Sequence, residues 1–144
     1  MTREQIVALF EERTAKWRAR DVSGLAAGHA PNAVVVSPTG GVLKGREEIE
    51  RVYKVWFNAF PDFELTETDL VIEGNRAVML ATISGTHSGD FFGLPATGRR
   101  VHASCALVYT FDDHNLIEHE RRILDFTGVL VQVGVLKAKP AAGL

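Results

Sequence analysis

Apolar positions recur at helical spacing in the first half of the chain and at strand spacing in the second. In TREQIVALFEERTAKWRARD, Ile6, Leu9, Phe10 and Trp17 fall on one stripe, and Thr2 and Gln5 have capping-box spacing, which predicts a helix. After Asp21, SGLAAGHAPNA predicts a short helix capped by Ser23 and ending near Gly28. AVVVS reads as a brief strand closed by the turn PTGG. GREEIERVYKVWFNAF predicts a second long helix, with Ile49, Val52, Tyr53, Trp56 and Phe60 on one face and Pro61 as its stop. Glu47 and Glu48 sit in its first turn, where the helix dipole favours them.

Four strand candidates follow: FELTETDLVIE, RAVMLATISGTH, RVHASCALVYTF and LIEHERRILDF, with EGNR and DDHN as compact turns. Helices followed by a strand meander predict an α+β domain, a curved antiparallel sheet with helices on one face. GVLVQVGVL is ambiguous: its valines favour a strand. One connection breaks the usual pattern of polar loops. GTHSGDFFGLPATGRR carries four glycines together with His87, Phe91, Phe92 and Leu94, so these side chains either cover something or are covered by a partner.

Composition narrows the class. The 144 residues suit one domain, read as 1–136 with KAKPAAGL (137–144) as a tail. A net charge of −2, with no Lys/Arg block longer than two residues, gives nucleic acid no electrostatic footing. The single Cys105 rules out an intramolecular disulfide framework. No membrane-spanning apolar run and no signal-like N-terminus are present, so a soluble, cytoplasmic protein is expected. No spacing such as HExxH supports a metal site, and none is expected.

FPDFEL, GTHSGDFFGLPATGRRV, LIEHERRILD and VQVG, in that order, resemble the SnoaL-like polyketide cyclases of the NTF2-like superfamily, and the likeness runs from about Asp21 to Gly134. The resemblance implies a cone-shaped α+β fold around an apolar cavity and intramolecular aldol ring closure of a polyketide-like substrate without metal or organic cofactor. It places the acid/base aspartate at Asp125, and the family pattern favours His119 beside it. The chain departs from that pattern at Glu120, where family members often carry an aromatic residue.

The residues themselves add a register. A two- or four-residue turn at DDHN sets Asp125 opposite His102, Ile123 opposite Ser104, Arg121 opposite Ala106 and His119 opposite Val108. That polar face is expected to line the cavity, with Tyr53, Trp56 and Phe60 supplying apolar lining. Asp125, with His102 or His119, is the candidate catalytic group; Arg121, Tyr53, Trp56, His87 and Phe60 are candidate substrate contacts. His29 and His114 are expected in solvated loops or turns. The opposite face, with Ala103, Cys105, Leu107, Tyr109 and Phe111, is then expected to join copies into a homodimer or homotetramer. The expected ligand is a small apolar or aromatic carbonyl compound, with no nucleic-acid or membrane partner. Three functions stay open: an aldol cyclase, a hydroxylase or epoxide-hydrolase-type enzyme, and a non-catalytic ligand-binding protein.

Overall fold

The computed structural model describes residues 1–137, so all of the expected tail except Lys137 lies outside the described residues. The first stripe forms α1 (Arg3–Ala19), opened by a complete Thr2/Gln5 capping box. Its buried positions are Ile6, Phe10 and also Arg13, a charge on the apolar stripe. Then α2 (Val22–Ala27) is capped by Asp21, whose side chain accepts the Gly24 N–H; Ser23 lies inside the helix, not at its cap.

The strand read from AVVVS is longer, β1 (His29–Ser37), and it pairs with a strand absent from the sequence reading, β2 (Gly41–Lys44). Next come α3 (Gly45–Ala59), β3 (Glu64–Glu73), β4 (Arg76–Thr86), β5 (Arg100–Phe111) and β6 (Ile117–Leu124). The ambiguous valine-rich segment is helical, α4 (Phe126–Gln132), because Asp125 caps it and Gly134, at φ 86°, follows its end. The six strands form one sheet in the order β2-β1-β6-β5-β4-β3, antiparallel throughout except that β1 runs parallel to β6. Ile49, Val52, Tyr53 and Phe57 of α3 pack on Val35, Ile83 and Ala103, and Ile6 and Phe10 of α1 pack on Met79, Leu107 and Tyr109. This is the expected α+β architecture, a curved sheet with helices on its inner face.

The β5–β6 register corrects the expected one by two residues. Phe111 pairs with Ile117, and a bulge then sets Thr110 opposite His119, Val108 opposite Arg121, Ala106 opposite Ile123 and Cys105 opposite Leu124. A shift of two keeps each side chain on the face expected for it, but Asp125 and His102 are not paired. The choice of inner face is reversed. Leu107, Tyr109 and Phe111 are buried under the chain's own helices, so they are not an interface between copies. His102, Ser104, His119 and Arg121 are exposed on the outer face. Burying each large apolar side chain is worth about 1.5–3 kcal/mol, whereas burying unpaired polar groups costs free energy, so the apolar face turns inward.

The glycine-rich loop packs over the C-terminal end of α3. Ser88 and Gly89 both donate their backbone N–H to Ala59 O, at 2.9 and 3.1 Å. Phe91 is fully buried against Trp56, Phe60 and Phe126, while Phe92 stays 44% exposed. His87 is buried beside Phe60, with Nδ1 2.9 Å from the Thr97 hydroxyl. Among the described residues no helix is long and apolar enough to cross a membrane.

Candidate functional site

A cavity of about 60 Å³ lies between α3 and the inner face of the sheet and reaches the turn at Ser37–Thr39. Its walls are largely apolar: Tyr53, Trp56, Phe63, Ile83, Leu107 and Leu124. Cys105 also lines it, with its thiol pushed up to about 11 by burial, so it is no thiolate near neutral pH. Among the described residues, one charged side chain lines the cavity, Arg122.

Strand alternation explains its place. On β6, Glu120, Arg122 and Leu124 share the inner face, opposite Tyr109, Leu107 and Cys105. Arg122 donates Nε–H to Glu120 Oε2 at 2.6 Å and lies over the Tyr53 ring, with Cζ 4.7 Å from its centroid. The other Glu120 oxygen is 2.7 Å from Nε2 of His29, the first residue of β1, which is fully buried. From α1, Arg13 donates to the Tyr53 hydroxyl at 3.0 Å and to the Leu25 carbonyl at 3.1 Å. The inner end of the cone is therefore a buried polar cluster drawn from α1, β1, α3 and β6.

Its electrostatics favour charge separation. Burial opposes ionisation of Glu120, but Arg122 and the His29 hydrogen bond outweigh it and hold the carboxyl well below the usual range. Burial likewise works against the Arg122 cation, and the Glu120 charge more than offsets it. For His29, burial dominates and lowers the pKa; the Glu120 contact offsets part of this, and Arg13 and Arg122 add to the lowering. Nε2 donates to the Glu120 carboxylate and Nδ1 lies 3.2 Å from the Leu25 carbonyl oxygen, so two acceptors hold the ring while burial opposes its positive charge. Burial also keeps Tyr109 protonated. The cluster thus holds two cations against one anion.

Of the residues predicted from the sequence, Tyr53 and Trp56 line the cavity. Phe60 is buried behind Trp56 and does not line it, and His87 lies with Phe60 and Phe91, anchoring the loop. Arg121 is exposed on the outer face, so the strand's inward arginine is its neighbour Arg122. His102 is exposed, and its backbone N–H and C=O are both bonded by the Gln132 side chain. His119 is exposed opposite Thr110. Asp125, one residue past the cavity wall, is exposed and accepts the Gly128 N–H at 3.0 Å, a helix cap and not a desolvated acid. His114 is exposed as expected, whereas His29 is not in a solvated loop. The sequence pattern does not bring Arg13, His29, Glu120 and Arg122 together, although the departure at Glu120 marks the place of their cluster.

A six-stranded sheet curled over helices around such a cavity defines the NTF2-like class. An NTF2-like protein from Burkholderia pseudomallei shares the fold at 18% identity, with 93% of this chain and 99% of that one covered and a TM-score of 0.77. The model of the SnoaL-like polyketide cyclase family matches residues 8–133, and the chain belongs to that family. TsrD from Streptomyces laurentii is 28% identical over 94% of this chain and 99% of that one, with a TM-score of 0.83. AclR from Streptomyces galilaeus, a proposed hydroxylase, is 27% identical over 95% and 85%, with a TM-score of 0.81. A comparison with curated protein sequences found no match.

Proposed function

We propose that the protein closes a ring in an enolisable carbonyl substrate by intramolecular aldol addition, using its own side chains. The observation that carries this reading is a guanidinium, held by Glu120 and the one charged group among the described lining residues, in a largely apolar cavity of a SnoaL-family chain. The substrate enters as an enolate, the proton of the carbon between its two carbonyls already given to water, and the enolate carbon bonds to a second carbonyl carbon. The π pair of that carbonyl moves to oxygen, which takes up a proton, so no electrons are exchanged with another reactant. Arg122 supplies fixed positive charge where oxygen becomes negative, and the apolar walls hold the two ends together. A cavity of about 60 Å³ is well below the roughly 150 Å³ that admits a benzene ring. Only one end of a polyketide-like molecule fits inside, with the rest of it outside.

The test is turnover of an aromatic poly-β-ketone followed by mass spectrometry and absorbance. Arg122→Met should lower kcat about 10²–10³-fold, as loss of an oxyanion donor does. Equal rates in the variant and the wild type sink the role of Arg122. Saturable binding with no turnover by either protein instead identifies a non-catalytic ligand-binding protein. The likeness to AclR favours a second reading, hydroxylation by dioxygen with two electrons from an added reductant and the second oxygen atom leaving as water, which the same mass measurement reads as the gain of one oxygen.

Self-association belongs to the proposal, now on the outer face. There a row crosses the sheet through Val71, Val78, Val108, Arg121, Val36 and Val42, with Leu80 and Ile123 exposed beside it. Sedimentation of the wild type against Leu80→Glu reads it: a lighter particle in the variant supports the contact, and a monomeric wild type rejects it.

A further inference from the structure

The cluster beside the cavity has an unpartnered guanidinium nitrogen and an excess of positive charge, and both call for an anion. Arg122 Nη2 is buried and has no hydrogen-bond partner among the described residues, although the same guanidinium is fixed by Glu120 at Nε and by the Tyr53 ring. A buried donor without a partner is costly, more so when it is charged. The cluster sets Arg13 and Arg122 against Glu120 alone, because His29 brings no negative charge in either protonation state and the neighbouring phenol Tyr109 keeps its proton. The Tyr109 hydroxyl is also buried and unpartnered. A guanidinium is planar and presents its N–H groups as a fork that fits two coplanar oxygens.

We propose that the inner end of the cone is a binding site for a planar two-oxygen organic anion, seated on Arg122. This rests on the reading of the cone as the ligand site and adds the ionisation state of its ligand. Two kinds of group supply that chemistry: a carboxylate, and the enolate of a 1,3-dicarbonyl. Either is small enough for a cavity of about 60 Å³, which excludes a whole ring system but admits an end group. No carboxylate or imidazole lines the cavity among the described residues. The site therefore selects a ligand that arrives already ionised, instead of removing its proton inside.

The experiment titrates isotope-labelled protein with two matched pairs: benzoate against benzamide, and open-chain pentane-2,4-dione, ionised at alkaline pH, against its neutral methyl enol ether. Methyl resonances of Ile83, Leu107 and Leu124 report entry to the cone, and the Arg122 Nε–H resonance reports contact with the guanidinium. At least one anion should bind tenfold or more tightly than its neutral partner and shift the Arg122 signal. Benzoate alone points to a carboxylate, the dione alone to an enolate. Arg122→Met should erase the preference and Arg122→Lys should keep part of it. Should the Met variant not fold, the wild-type pairs and the Lys variant still decide. Neutral partners that match the anions while shifting the cone methyls overturn the anion site and leave the cone reading standing. Cone methyls silent to all four compounds overturn both. A preference that survives in the Met variant removes Arg122 from the site.

Discussion

Glu120 and Arg122 stand two residues apart on the inner face of β6, joined at 2.6 Å, with Glu120 1% and Arg122 13% exposed. The same carboxylate holds His29, so one side chain fixes both the cavity's cation and the start of β1. Breaking such a pair leaves an uncompensated buried charge. Glu120→Ala is expected to cost about 3–5 kcal/mol in urea denaturation. The double variant Glu120→Leu/Arg122→Met removes both charges and should be more stable than Glu120→Ala. A double variant less stable than that single one would show that the pair's charges are not what the single change exposes.

Acidification should unfold the protein in two stages. His29 has a folded pKa below its ordinary 6.5, so the unfolded chain takes up a proton that the folded ring resists. Its contribution is complete above about pH 6.5 and declines as pH falls below that value. Glu120 is held below its ordinary 4.5, so a second loss begins as pH falls through that value. Each group adds at most about 1.4 kcal/mol per pH unit to the slope. His29→Gln should flatten the stability curve between pH 6.5 and 4.5 and leave the lower limb, read by denaturation at stepped pH. An unchanged upper limb would mean that His29 is not the group titrating there.

Much of this fold is legible because most elements bury one side only. Ile6 and Phe10, or Met79 and Ala81, announce their periods without any partner being known. The four-residue β2 escapes because Leu43 is its one buried residue, too little for a pattern. On β5 and β6 the polar residues point to one face as the inner one, whereas burial of Leu107, Tyr109 and Phe111 makes the other face inward. The cluster itself could not be read locally. Glu120 meets His29 across 91 residues of chain, and Arg13 reaches Tyr53 across 40. A charge on an apolar period is legible as a question, and its answer requires the tertiary partner.

Asp125 separates a cap from a catalyst by substitution. Its carboxylate accepts the Gly128 N–H, and Asn caps a helix about as well as Asp. Asp125→Asn should leave thermal stability and turnover unchanged, whereas Asp125→Ala should cost about 1 kcal/mol through the lost cap. Turnover that collapses in the Asn variant with stability intact would restore an acid/base role to this carboxyl.

Gly89 tests whether the phenylalanine loop is held by close backbone packing. A Cβ at this position would lie 2.2 Å from the Asn58 carbonyl oxygen, and that oxygen belongs to the backbone of α3, which cannot swing aside. Gly89→Ala must therefore lift the loop away from α3, loosening the bonds of Ser88 and Gly89 to Ala59 O and the seat of Phe91 on Trp56. Overpacking of this kind costs about 1–3 kcal/mol. Because Trp56 lines the cavity and Phe91 backs it, the variant should also weaken ligand binding and raise the exchange rates of the Ser88 and Gly89 amides. Hydrogen exchange reads the loop directly. Wild-type protection at those two amides in the Ala variant would mean that the loop is held from elsewhere, by His87 and Phe91, and that the glycine is incidental.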